Sequence, residues 1–524
     1  MKIIRVRPFS RRASFLLRGL FCICLATVAA TAVVRAEDVQ RADSGEARQL
    51  ARQGEKAIRK GDLVSAEKLF LRAIDLDPAN AENRGRLAYV YLKLRNLRKA
   101  YEISFALAKA DSKNANAFAL LGGTLLAAGK FDDARKMFVN SIGLNKRESL
   151  AWAGIGMLDF YENRIQDSLD NLSEAVFYDD EPDYVFALAQ VAARAEKYNV
   201  AADAYDHFLM ISRNTDDERR DRIKGLINFL RFLGQKQSLY AISGDDQTTV
   251  PVRLQVNRPV ITLRVNDGQK PLNFVLDTGS GISVLSDVTA KRLKINPIAR
   301  GGFAKGIGGD GRFEIVYGFV REFEIGGVQI RNVPVYIRKF HTEDDTVDGY
   351  IGLSLISKFL TTIDYGSQTF TLAKRADPAE PINEGSSTLP LRLTSSGFLS
   401  GEVQLEGLEE PLNFIVDTGA TVSVISNEVA STKSISAFAR EERMRVIGSA
   451  GVTEDVPSFL LPKVSFGSHS RNSITAISLN LGMINEASGF EQAGILGGNF
   501  LRNYRMTFDF KNSRVTFVPV KAEK

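Results

Sequence analysis

Two segments of this 524-residue chain place an aspartate in nearly the same setting: Pro271-Leu-Asn-Phe-Val-Leu-Asp277-Thr-Gly-Ser280 and Pro411-Leu-Asn-Phe-Ile-Val-Asp417-Thr-Gly-Ala420. Asp277 and Asp417 are 140 positions apart, each at the end of an apolar, strand-like run. One such Asp-Thr-Gly turn is ordinary. Two in matching contexts point to carboxylates brought together across a pseudo-twofold axis. Two carboxyls about 3 Å apart cannot both ionise, so they share one proton over an intermediate pH range. The charged member can then take a proton from a water held between them while the protonated one donates to a carbonyl oxygen. The apparent ionisations belong to the pair, so its acid and base stay unassigned on this ground alone.

The elements that must position these residues are also duplicated. Val250-Pro-Val-Arg-Leu254 answers Leu389-Pro-Leu-Arg-Leu393, and Ser283-Val-Leu-Ser286 answers Ser423-Val-Ile-Ser426. A glycine cluster follows each aspartate at the same offset, Gly306-Ile307-Gly308-Gly309 in one copy and Gly448-Ser449-Ala450-Gly451 in the other. Each copy closes alike, with Tyr350-Ile351-Gly352 and Thr362-Ile-Asp-Tyr365 against Ile495-Leu496-Gly497 and Thr507-Phe-Asp-Phe510. Alternating segments such as Val260-Ile-Thr-Leu-Arg-Val265 and Val333-Pro-Val-Tyr-Ile337, punctuated by Gly, Asn and Asp, read as strands and hairpins. Two β lobes are therefore expected at 250–375 and 388–520. A polar linker carrying Pro378 and Pro381 joins them at 376–387.

These residues resemble the retropepsins, the single-lobe aspartic proteases typified by retroviral proteases, and the resemblance covers both copies. It implies two all-β acid-protease barrels. Asp277-Thr278-Gly279 and Asp417-Thr418-Gly419 would be the catalytic turns, with Ile351-Gly352 and Leu496-Gly497 packed beneath them. Gly306–Gly309 and Gly448–Gly451 would be the flaps, the second of them weak in glycine. Thr278 and Thr418 would hydrogen-bond across the lobe interface, and Gly279 and Gly419 would let each backbone approach the other lobe. The turns differ at Ser280 and Ala420: a hydroxyl can donate to the adjacent carboxylate, which points to Asp277 as the charged member. With both lobes in one chain, the site needs no second chain. A homodimer with lobes paired between chains, or a catalytically silent binding scaffold, are the competing arrangements.

Upstream the texture is helical. Residues 47–182 repeat with a period of 34: Gly54, Ala88, Gly122 and Gly156 form one small-residue series, and Ala66, Ala100, Ala134 and Ser168 a second. Phe70, Phe138 and Leu172 recur with the second series, and Leu87 and Leu121 with the first. The pattern resembles tetratricopeptide repeats. It implies an all-α superhelix over 47–240, with a degenerate fifth unit around Phe186 and Ala202 and a last helix ending near Gly234. Such repeats cannot bury their apolar sides singly and stack in series, usually presenting a groove to a protein or peptide.

The N-terminus reads as a secretory signal over 1–36, followed by a short linker at 37–46. Lys2, Arg5, Arg7, Arg11, Arg12 and Arg18 precede an apolar run from Leu20 to Val34, and Val34-Arg-Ala36 offers a small-residue cleavage site. The run is shorter than the ~20 residues a spanning helix needs. Of the 68 Lys and Arg, seven lie in residues 1–36, which leaves 61 against 62 Asp and Glu. The net charge of +6 thus belongs to the leader, and bulk composition gives no basis for nucleic-acid binding. Cys22 and Cys24 leave with it, so the mature chain has no thiol chemistry, a composition suited to a bacterial periplasm. His207, His341 and His469 are too scattered for a familiar metal site, and no metal or cofactor is implied. The expected partners are a peptide or unfolded protein substrate and a protein held in the helical groove.

Overall fold

The computed structural model describes residues 45–212, 216–341, 347–374 and 386–520. The expected signal segment 1–36 and most of the expected linker 376–387 lie outside these residues, and a helix already runs through residues 45 and 46 of the expected 37–46 linker. The chain divides into two compact units, Met1–Asp111 and Ser112–Lys524.

In the first unit, helices α1 (45–59), α2 (Leu63–Leu76), α3 (Ala81–Lys93) and α4 (Leu97–Ala110) form two hairpins. Asp62, Asn80 and Asn96 cap α2, α3 and α4 by accepting a backbone N–H three residues on, which satisfies a donor the helix start leaves free. The period of 34 has a packing cause. A Cβ on Gly54 of α1 would sit 2.7 Å from the ring of buried Phe70 on α2, so the glycine is the socket for that ring.

The second unit opens with more pairs: α5 (Ala115–Ala127) with α6 (Phe131–Leu144), α7 (Ser149–Tyr161) with α8 (Ile165–Tyr178), and α9 (Pro182–Arg194) with α10 (Tyr198–Ile211), before a final α11 (Asp217–Gly234). The same sockets recur, Gly122 taking Phe138 and Gly156 taking Leu172, each partner fully buried. No helix among the described residues is long and apolar enough to cross a membrane.

From Ala241 the unit is all β. A nine-stranded sheet forms the first lobe and an eight-stranded sheet the second. The lobe begins earlier than the expected residue 250. Strand Ala241–Gly244 pairs antiparallel with Val328–Arg338, and Gln247–Pro251 pairs with Thr369–Ala373. A third sheet joins the lobes. Leu360–Asp364, Thr369–Ala373 and Gln247–Pro251 come from the first, and Tyr504–Asp509, Arg514–Pro519 and Ser387–Pro390 from the second. At its centre Thr362 faces Thr507 in antiparallel register, and their hydroxyls are 3.1 Å apart. These two threonines are equivalent in the duplicated sequence, so their pairing places the pseudo-twofold axis between them. One apolar core runs from Tyr240 through Phe517 across both lobes.

Candidate active site

Each aspartate is delivered by a buried strand. Phe274, Val275 and Leu276 precede Asp277 with no exposure, and Phe414, Ile415 and Val416 precede Asp417 nearly so. Beside each runs a short parallel strand, Gly349–Ile351 against Phe274–Leu276 and Gly494–Leu496 against Phe414–Val416. The Asp277 N–H donates to the Ile351 carbonyl and the Asp417 N–H to that of Leu496, both at 3.0 Å. Gly352 and Gly497 follow at once, and their N–H groups donate to the Oγ atoms of Ser283 and Ser423, both at 3.1 Å. Those serines are buried and were not singled out from the sequence as site residues. Their signal was present: each stands six positions after its aspartate in the matched copies.

Thr278 and Thr418 lock the turns together. The N–H of each donates to the other's Oγ1 at 3.1 Å. Each hydroxyl then donates across the interface at 2.6 Å, Thr278 to the Val416 carbonyl and Thr418 to the Leu276 carbonyl. Both side chains have zero exposure, so every bond in this lattice forms out of competition with water. Four reciprocal bonds leave the turns little freedom to slide or twist apart.

The glycine after each threonine is required by the opposite carboxyl. A Cβ on Gly279 would lie 2.4 Å from Asp417 Cγ, and one on Gly419 2.7 Å from Asp277 Oδ1. The two carboxyls are thereby in hydrogen-bonding contact. Asp277 accepts from the Gly279 N–H at 3.0 Å and from the Ser280 hydroxyl at 2.6 Å. Asp417 accepts from the N–H groups of Gly419 at 2.7 Å and Ala420 at 3.2 Å, with no hydroxyl at the equivalent place. Burial, then the neighbouring charge of Asp277, then the hydrogen bond with Asp277 push the Asp417 carboxyl well above the usual carboxylate range, while its two backbone donors pull the other way.

Both glycine clusters are hairpin tips. The first joins strands Ala299–Lys305 and Arg312–Ile325, the second Ala439–Gly448 and Gly451–Phe466. Despite its sparse glycine, the second hairpin meets the first tip to tip. Ala450 N–H donates to the Ile307 carbonyl at 2.8 Å, Gly309 N–H to the Val452 carbonyl at 3.1 Å, and Ile307 N–H to Ser449 Oγ at 3.2 Å. Gly308 and Gly451 sit at this crossing with φ of +90° and +144°, and a Cβ on Gly308 would lie 2.1 Å from the Gly451 carbonyl oxygen.

Residues 261–355 and 401–500 match the Aspartyl protease family, each stretch containing one Asp-Thr-Gly turn, and residues 57–122 match the Tetratricopeptide repeat. Among solved structures, the chain is similar to a thermophilic tetratricopeptide protein of Thermus thermophilus. Identity is 20%, over 34% of this chain and 98% of that one, with a TM-score of 0.31. It is also similar to pilF of Pseudomonas aeruginosa, at 16% identity over 37% and 87% of the two chains and a TM-score of 0.28. No curated protein matches.

Proposed function

From a chain that joins tetratricopeptide repeats to two lobes of aspartyl protease type, we propose an exported endopeptidase that hydrolyses peptide bonds with a water activated between Asp277 and Asp417. The observation that carries this reading is the pair of carboxyls in hydrogen-bonding contact, clamped by the reciprocal bonds of Thr278 and Thr418. Asp417, whose carboxyl is pushed upward, holds the shared proton. Asp277, which accepts the Ser280 hydroxyl, is the partner that acts as base. In the reaction Asp277 takes a proton from the water as its oxygen attacks the peptide carbon, and Asp417 gives its proton to the carbonyl oxygen. The resulting gem-diol collapses as a proton passes to the leaving nitrogen, so no covalent intermediate with the enzyme is needed. An extended peptide is the fitting substrate, since strands bind in clefts through backbone hydrogen bonds.

The basic n-region and apolar run of residues 1–36 support export, with a bacterial periplasm as the destination, and the helical repeats support recruitment of a protein partner. Cleavage of an unfolded protein by the mature chain across pH 3 to 8, beside Asp277→Asn and Asp417→Asn, tests the mechanism. The expected result is cutting by wild type, its arrest by a statine-type transition-state mimic, and loss of activity in each single variant. A wild type that cuts nothing at any pH and does not bind the mimic would overturn the reading in favour of a binding scaffold.

A further inference from the structure

The strands that flank the two halves of the dyad end in chemically different residues. Strand Val284–Ser286 pairs in parallel with the end of Val328–Arg338, placing Arg338 beside Ser286. In the second lobe Ser423–Ser426 pairs in the same way with His469–Leu479, placing Leu479 beside Ser426. Ser286 and Ser426 each stand nine positions after their aspartate, so Arg338 and Leu479 are equivalent sites related by the pseudo-twofold axis. Tyr350 and Ile495 are equivalent too, paired with Val284 and Val424.

The surroundings follow that difference. The Arg338 guanidinium lies among three rings: Phe313 at 5.5 Å, Phe340 at 5.7 Å and Tyr350 at 5.9 Å. Phe313 belongs to the strand that leaves the first hairpin tip, and Tyr350 directly precedes the residue whose carbonyl holds Asp277. The cage therefore spans from the hairpin down to the strand beneath the aspartate, and Arg338 lies within electrostatic reach of Asp277. Its Nε is buried without a hydrogen-bond partner, and no carboxylate among the described residues forms an ion pair with it. Leu479 instead packs in an apolar cluster with Ile495, Met444, Val446 and Ile307 of the first hairpin tip.

The Arg338 side chain is partly buried and its Nε has no hydrogen-bond partner, so a carboxylate arriving in the guanidinium plane would gain charge-assisted hydrogen bonds. We propose that Arg338 determines specificity, seating an acidic side chain of the peptide on one side of the scissile bond while the Leu479 pocket seats an apolar one on the other. This rests on the proteolytic reading of the dyad and names the substrate class for it: peptides with Glu or Asp set against an apolar residue at the point of cleavage.

The test compares peptide pairs differing only by Glu or Gln beside the scissile bond, opposite a leucine, in both orders. Wild type is expected to prefer the Glu peptide of one order by roughly 10- to 100-fold in kcat/KM, mostly through KM. Arg338→Met should bring that ratio near unity, Arg338→Lys should keep part of it, and Arg338→Glu should turn the preference toward a lysine peptide. A ratio within one preparation does not depend on the fraction of enzyme folded. Indifference of wild type to Glu against Gln, or an undiminished preference in Arg338→Met, overturns the inference while leaving proteolysis standing. If no peptide is cut, the proteolytic reading fails. Fluorescence anisotropy of the same labelled pairs then decides the subsite, equal binding of Glu and Gln peptides to wild type overturning it.

Discussion

Ser280 and Ala420 occupy equivalent places after the two aspartates, and only the serine has a hydroxyl to give. Its 2.6 Å bond to Asp277 breaks the symmetry of an otherwise duplicated site. A hydrogen bond to a charged group contributes about 1.5–3 kcal/mol. Ser280→Ala should therefore alter the pH–rate profile of kcat/KM, and an unchanged profile would refute the role. The pair also makes stability depend on pH. In the unfolded chain Asp417 ionises above about pH 3.9, whereas in the fold it retains its proton to higher pH. Stability linked to that proton is complete below the unfolded value and lost as pH rises through the folded one. Asn at 417 cannot ionise, so the melting temperature of Asp417→Asn should gain on wild type as pH rises from 4 to 8. A gap that stays constant or shrinks would contradict the assignment.

Among the elements, the helices show how sequence period becomes packing. Gly54, Gly122 and Gly156 each precede their large partner by sixteen residues because that distance carries the chain from one helix of a pair to the facing turn of the next. The second repeat has Ala88 and Ser104 at those places, small against small. The turn inside each pair repeats as well: Gly61, Arg95, Gly129 and Asn163, one period apart, all have φ between +56° and +75°. Left-handed geometry suits glycine and burdens arginine. Arg95→Gly should thus raise stability by about 1 kcal/mol in a denaturant titration, and a loss would show that the Arg95 side chain matters more than its backbone. The aspartate turns, their supporting glycines and both hairpins were legible in the sequence because each is local and occurs twice. The six-stranded sheet was not. Its central pairing joins residues 145 apart, and alternating strands such as Leu360–Asp364 and Tyr504–Asp509 do not reveal their partners. Arg338 escaped notice for a related reason: as one arginine at the end of a strand it has no signature until register sets it beside Ser286.

At the scale of the whole second unit, the helices from α5 onward pack directly against the two β lobes. Phe490 of the second lobe is fully buried against Phe131 of α6 and Tyr161 of α7, with ring centroids 4.9 and 5.0 Å apart. Arg194 of α9 lies over Phe160 and donates to the Thr394 and Ser395 carbonyls, and burial lowers its pKa to about 9. That loop in turn abuts Gly281, two residues beyond Gly279: a Cβ there would lie 2.4 Å from the Ser396 carbonyl oxygen. On the other side α11 stacks Phe229 on Tyr317 at 4.5 Å, and Glu218 pairs with Arg312 at 2.9 Å. Residues 241–520 produced without the helices would expose Phe490, Tyr317 and Ile315, and contiguous apolar patches of that kind drive association. That fragment should aggregate or elute above its monomer mass, whereas a well-folded monomer would show the two parts to be separable. The contact with α11 also fixes how the cleft can open. Gly225 lies so close to the Arg300 carbonyl that an added Cβ would be 2.0 Å from it, which anchors the root of the first hairpin on a helix while its tip touches the other hairpin. The first hairpin is thus held at its root by α11 and at its tip by the other hairpin, so a displacement of the tip would be resisted at both ends.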